Sequence, residues 1–284
     1  MPRRPSFYWT WLHRASAAIF LLLVWLGHFD WFPYFKGSAV STKLFGVVFF
    51  TDPLAALEVI VASFRFNATL LIAAAILIAL YAFLGRAFCA WVCPLGLMLE
   101  LNAELRSWLN RFLRRHKRHL LALSIPRNTK YVLLFLALLL SLVSRLPVFQ
   151  LLSPINIFMR AILFGADASL VIVAAIVLLE YAAPRAWCIS LCPLGAFYSL
   201  LGRWSPWRIQ IDQEREKGGT MCGLCAHHCP LQIQVLEDHV KQGKTDVDDP
   251  ECMRCVMCLD GCPRESLSLG IRGQVFFRRR AGCS

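Results

Sequence analysis

Residues 86–96 read RAFCAWVCPLG, and residues 185–195 read RAWCISLCPLG, the same phrase repeated at an offset of 99 residues. Each copy closes an apolar stretch, Ala68–Leu84 in the first half and Ser169–Ala183 in the second. Two more apolar stretches, Ala15–Trp31 and Tyr131–Ser144, precede those. A membrane-spanning helix needs roughly 20 residues, so Tyr131–Ser144 and Ser169–Ala183 borrow flanking residues, with Arg145 snorkelling to an interface. The pattern predicts an α-helical membrane protein with four transmembrane helices arranged as two tandem repeats, 1–102 and 103–202. Both copies run the same way through the bilayer, which implies a pseudo-two-fold axis along the membrane normal and a shared site between halves.

Composition agrees with that class. Hydrophobic residues make up 57% of 284, against roughly 45–50% in soluble domains. The net charge is +12, and the basic residues lie beside apolar blocks, which favours anionic lipid headgroups over nucleic acid. Of the 30 Lys and Arg, 25 fall on one side of the four predicted spans and five on the other (Lys36, Lys43, Arg65, Arg145, Arg160). The positive-inside rule then puts both termini in the cytoplasm, in a bacterial inner membrane. The apolar run after MPRRPSFYW ends in WLGHFDWFPYF rather than a small-residue cleavage site, so it reads as an uncleaved first helix. Leu44–Phe64 and Leu146–Gly165 are interrupted by Pro53 and Pro154 and are expected as interfacial or re-entrant pieces on the outer side.

From about Arg203 the composition turns polar and the cysteines cluster, predicting a small α+β domain of bacterial-ferredoxin type at 203–271, then a basic tail at 272–284. The run Cys252-x₂-Cys255-x₂-Cys258-x₃-Cys262-Pro263 has the spacing of a [4Fe–4S] site, three thiolates on one loop and a fourth that serves the other cluster. Upstream, Cys222-x₂-Cys225-x₃-Cys229-Pro230 repeats the run with Gly219 where the first cysteine would stand. Crossed ligation assigns Cys252, Cys255, Cys258 and Cys229 to one complete [4Fe–4S] cluster. Cys222, Cys225 and Cys262 remain for a second cluster, [4Fe–4S] with a substitute ligand or [3Fe–4S]. His227, His228 and Cys283 are the candidate substitutes.

The pairs Cys89/Cys93 and Cys188/Cys192 are spaced i, i+4, on one face if the segment is helical. They are either redox or additional cluster thiols, or small buried residues beside prolines that shape helix ends. Oxidation of a quinol releases protons, so its site needs an acceptor. His28, Asp30, Asp52, Glu58 and Glu180 are the ionisable residues placed for it. Rossmann, Walker A, zinc-protease and c-type haem motifs are missing from the sequence.

These features together resemble the NapH/MauN family of membrane-bound ferredoxin-type proteins, carried by STKLFGVVFFTDPLAAL, LYAFLGRAFCAWVCPL, IPRNTKYVLL, SPINIFMRAILFG, WCISLCPLGAFYSLLG and the two cysteine runs. The resemblance implies electron transfer from the quinone pool to a periplasmic redox system, of nitrate-reductase or methylamine-utilisation type. The chain would be the membrane subunit of a quinol dehydrogenase working with other ferredoxin-type or cytochrome partners. It implies cluster ligation by Cys222, Cys225, Cys229, Cys252, Cys255, Cys258 and Cys262, and Gly219 departs from its pattern. Two other functions fit the same residues: electron supply for maturation of a periplasmic metalloenzyme or its cofactor, and non-redox metal handling.

Overall fold

The computed structural model describes residues 8–28, 35–37, 41–44, 48–51, 53–63, 68–115, 125–165, 170–183, 185–214, 223–262, 265–271 and 274–278. They form two compact units. One contains residues 1–16, 81–92 and 198–284, and the other 17–80 and 93–197.

The larger unit is helical. Helix α1 (Tyr8–His28) enters it at Ala17. It begins seven residues before the apolar stretch expected at Ala15. A three-stranded antiparallel sheet follows, β1 (Phe35–Gly37), β2 (Ser41–Leu44) and β3 (Val48–Thr51), with Lys43 opposite Lys36 and Phe49. No strand was expected there, although VFFT is β-branched and aromatic. Pro53 and Pro154 do not break helices. Each starts one, α2 (Pro53–Ser63) and α8 (Pro154–Phe164), both of 11 residues, since a first-turn position needs no N–H from proline.

Helix α3 (Ala68–Leu84) coincides with the expected stretch. It is followed by α4 (Ala87–Trp91) and α5 (Pro94–Arg115). Helix α6 (Thr129–Ser144), α7 (Val148–Leu152) and α8 lead to α9 (Leu170–Ala182). A π-helical turn at Trp187–Leu191 and α10 (Pro193–Gly202) complete the run. Helix α2 packs on α6, and α9 on α5 and α8. Between α5 and α9, Asn102 donates to the Val177 carbonyl at 3.3 Å and Arg106 to that of Tyr181 at 3.1 Å.

By length and composition α1 is long and apolar enough to cross a membrane; α3, α6 and α9 have 17, 16 and 13 residues. All three turn large apolar side chains outward, among them Ile72, Ile76, Phe135, Val143, Val171 and Leu178, a distribution suited to lipid and unfavourable in water.

The smaller unit is built on an antiparallel sheet, β4 (Trp207–Ile211), β5 (Leu267–Ile271) and β6 (Gln274–Arg278), in the order β4-β5-β6. Residues 274–278, expected in a basic tail, are therefore the third strand. The domain is also not confined to residues after Arg203: it takes in the first two turns of α1 and the segment from Tyr81 to Val92. Tyr81 and Phe88 from that segment pack on Tyr198, with ring centroids 4.7 and 5.6 Å away.

Candidate iron–sulfur site

The short helix Leu224–His228 and the single turn Met257–Asp260 pack against each other. They carry or adjoin Cys225 and Cys229 on one side and Cys255, Cys258 and Cys262 on the other, and their apposition brings these cysteines together. Cys229, Cys252, Cys255 and Cys258 line one cavity with Ile209, Leu231, Ile233, Val235, Val247, Met253 and Val256. Those are the four thiols that crossed ligation groups together.

The backbone of the second loop is shaped to receive an anionic group. Arg254 and Val256 adopt left-handed conformations, with φ of 54° and 60°, alternating with ordinary residues. Alternation of that kind turns successive N–H groups inward as a nest. A β-branched residue such as Val256 is an outlier at positive φ, and it is only 1% exposed. Residues strained in this way persist where a site over-determines them. On the other loop, the Ile233 N–H points to the Cys229 sulfur at 3.4 Å; such bonds tune cluster potential.

Four thiols so placed are poor neighbours without metal. Burial first, then the adjacent sulfurs of Cys255, Cys252, Cys229 and Cys225, push the Cys258 thiol well above its ordinary range. Burial likewise raises Cys252, opposed by Arg254 and more weakly by Arg86. An iron–sulfur core relieves both effects, because its irons take the sulfurs as thiolates. Among the described residues no three His, Cys, Asp or Glu side chains converge tightly enough for a single ion. A cubane instead binds each thiolate at its own corner, so the donor set fits a cluster.

The second site is described in part. Cys225 lies in the Leu224–His228 helix, and the Cys262 sulfur sits 3.2 Å from the Ser266 hydroxyl. Cys222, Gly219 and Cys283 lie outside the described residues. His228 packs against Gly261, where an added Cβ would come within 2.2 Å of its ring. His227 is on the same short helix.

The repeated phrases are not continuous helices. Helix α4 ends at Trp91 and the π-turn at Leu191, so the condition for each cysteine pair to share a helical face, a helix running through both, is not met. The residue before a proline is driven out of the helical region, and Cys192 has φ −76°, ψ 111°. Cys93 and Cys192 instead precede the following helices, and their sulfurs take the N–H of Gly96 at 3.4 Å and of Gly195 at 3.3 Å. Both are buried, whereas Cys89 and Cys188 are half-buried.

Of the proposed proton acceptors, Glu58 is fully buried and takes hydrogen bonds from Ser141 Oγ and the Phe149 N–H at 3.2 and 3.1 Å. Glu180 takes the N–H groups of Arg185 and Trp187. Each carboxylate closes a turn. His28's side chain, Asp30 and Asp52 lie outside the described residues.

Residues that pattern reading passed over surround the four-cysteine loop. Arg86 Nη1 meets Glu251 Oε2 at 2.5 Å, and Ser199 donates to the other oxygen at 2.9 Å. Trp91 Nε1 donates to the Arg254 carbonyl at 3.3 Å, and Ser16 Oγ to that of Trp91 at 2.8 Å. Asp260, between Cys258 and Cys262, accepts the Thr10 N–H at 2.9 Å and its hydroxyl at 3.0 Å, closing the start of α1. The available signal was the arginine opening both repeated phrases, read only as topology charge.

The family described as "4Fe-4S binding domain" matches residues 66–118 and 168–212, which include Cys89, Cys93, Cys188 and Cys192 but none of the cysteines after Arg203. The ferredoxin-type protein NapH of Escherichia coli is 30% identical over 256 residues, covering 88% of this chain and 82% of that protein. NapH of Haemophilus influenzae is 33% identical, covering 84% and 83%. The methylamine utilization ferredoxin-type protein MauN of Methylorubrum extorquens is 28% identical, covering 84% and 80%. No solved structure matches the chain.

Proposed function

The chain belongs to the NapH/MauN family of ferredoxin-type proteins, and on that premise we propose that it draws electrons from quinol in a multi-pass membrane domain. It delivers them through iron–sulfur clusters to a periplasmic redox system of the nitrate-reductase or methylamine-utilisation type. The observation that carries the iron–sulfur part is the convergence of Cys229 with Cys252, Cys255 and Cys258 on one cavity. A [4Fe–4S] cluster held there supplies one-electron transfer without proton uptake. The four thiolates hold it, the nest of the 252–258 loop directs N–H groups toward it, and the apolar lining keeps water away. Cys222, Cys225 and Cys262 hold the second centre with three protein thiolates.

The membrane part is supported by α1 and by the outward apolar faces of α3, α6 and α9. Helix α5 adds to it: Leu101, Leu105, Trp108 and Phe112 form an exposed apolar stripe on a helix that also carries Arg106, Arg111, Arg114 and Arg115, the pattern of a helix lying at an anionic lipid interface. Support for the duplication is the matching succession in each half: a proline-initiated 11-residue helix, an apolar helix, a short turn bearing the first cysteine, then a helix opened by Cys-Pro.

The test is anaerobic purification in detergent with iron and acid-labile sulfide assays, followed by addition of a short-chain quinol. A broad visible absorbance that bleaches with quinol is expected. Iron and sulfide that respond to dithionite but never to quinol overturn the quinol step; zinc without sulfide overturns the cluster.

A further inference from the structure

Of three neighbouring arginines, Arg254 lines the four-cysteine cavity, and the other two have carboxylate partners. Arg86 pairs with Glu251 at 2.5 Å and Arg208 with Asp246 at 3.0 Å. Arg254, on the ligand loop itself, is 4% exposed, and among the described residues no carboxylate lies within ion-pair distance of it. Three backbone carbonyls hold its guanidinium instead. Nε donates to Trp207 at 2.7 Å, Nη1 to Cys252 at 2.9 Å and Nη2 to Gly202 at 3.1 Å. Its seat exists because residue 85 is glycine: a Cβ there would come within 1.8 Å of Nη1. Gly85 also ends α3 with φ of 67°, so its missing side chain serves a left-handed cap and the arginine seat together.

A buried ion without a counter-charge is strongly unfavourable. Carbonyl dipoles solvate Arg254 but leave its charge uncancelled. The foremost negative charge acting on it is the Cys252 thiolate, with Asp249 a weaker one, and Cys252 and Cys255 flank it in the loop. We propose that Arg254 is the fixed counter-charge of the four-cysteine centre and raises that centre's reduction potential. The proposal rests on the assignment of a cluster to Cys229, Cys252, Cys255 and Cys258. When the site accepts one electron, from quinol or from dithionite in the assay, it gains one negative charge, with no bond made or broken and no proton taken up. Arg254 favours the more negative state, and net charge and burial are levers on cluster potential.

The experiment is an EPR-monitored redox titration of the full-length protein in detergent, comparing wild type with Arg254→Gln, Arg254→Lys and Gly85→Ala. The signal of interest is the one that Cys255→Ala deletes. Arg254→Gln is expected to lower its midpoint by at least the ~59 mV that corresponds to tenfold in a one-electron equilibrium, and to move the other signal by less than half as much. Arg254→Lys, which keeps the charge, retains most of the wild-type midpoint. Should Arg254→Gln lose its iron, Gly85→Ala carries the comparison: it keeps the charge but displaces the guanidinium, and is expected to lower the same midpoint. A purely structural arginine would change iron content or thermal stability while leaving the midpoint in place, and an unmoved midpoint with an intact signal overturns the proposal. No iron–sulfur signal in wild type overturns the site assignment instead.

Discussion

Replacing Arg86 by methionine removes the cation of a pair that is almost dry, with side-chain exposures of 1% for Arg86 and 13% for Glu251. Methionine keeps most of the side-chain volume. What is lost is the ion pair at 2.5 Å and the bond to the Glu251 carbonyl at 3.3 Å. Ser199 still donates to Glu251 at 2.9 Å, but a neutral hydroxyl does not replace the lost cation. Widowing a buried charge costs about 3–5 kcal/mol. At about 2 °C per kcal/mol for a chain of this size, Tm falls by roughly 6–10 °C. The assay is thermal loss of the visible cluster absorbance in detergent, at one scan rate for all variants. The double variant Arg86→Met/Glu251→Met is expected to recover at least half the loss, because it removes the orphaned charge as well. A single variant within about 2 °C of wild type, or strictly additive effects in the double, would refute the reasoning.

Other outcomes follow from the same geometry. Cys229→Ala, although it lies in the upstream run, is expected to delete the same EPR signal as Cys255→Ala, and deletion of the other signal would break the crossed assignment. Asp260→Asn weakens the closure of α1, costing about 1–2 kcal/mol for a capping interaction; amide exchange should accelerate in residues 10–13 far more than in α6. The metal-free chain should lose stability as pH rises above about 8.5. The folded Cys252 and Cys258 thiols are raised, so at alkaline pH the unfolded chain releases protons that the folded chain retains, and unfolding gains. The iron-loaded protein, its thiolates already ionised on metal, should show no such alkaline loss in the same denaturant series.

Much of the molecule was legible because its strongest constraints are local. Cys252, Cys255 and Cys258 stood out because their spacing matches that of a [4Fe–4S] loop, and α3 and α9 were readable as unbroken apolar runs. Less of the rest was readable, and for identifiable reasons. Pro53 and Pro154 looked like interruptions because a sequence does not say whether a proline stands inside a helix or at its first turn. The strands β1 to β3 were hidden in a segment whose apolar character was already explained. Cys93 and Cys192 were placed on helical faces by spacing, yet the prolines beside them end one helix and open the next.

Residue spacing and apolar period by themselves determined the cysteine runs, the succession of apolar helices and membership among iron–sulfur proteins, because each is a property of a short stretch of chain. Only the tertiary structure decided that Arg86 meets a glutamate 165 residues away, and that Arg254 is buried beside the thiols on three backbone carbonyls. Those arrangements depend on which surfaces exclude water together, and desolvation belongs to the assembled fold rather than to any segment of it.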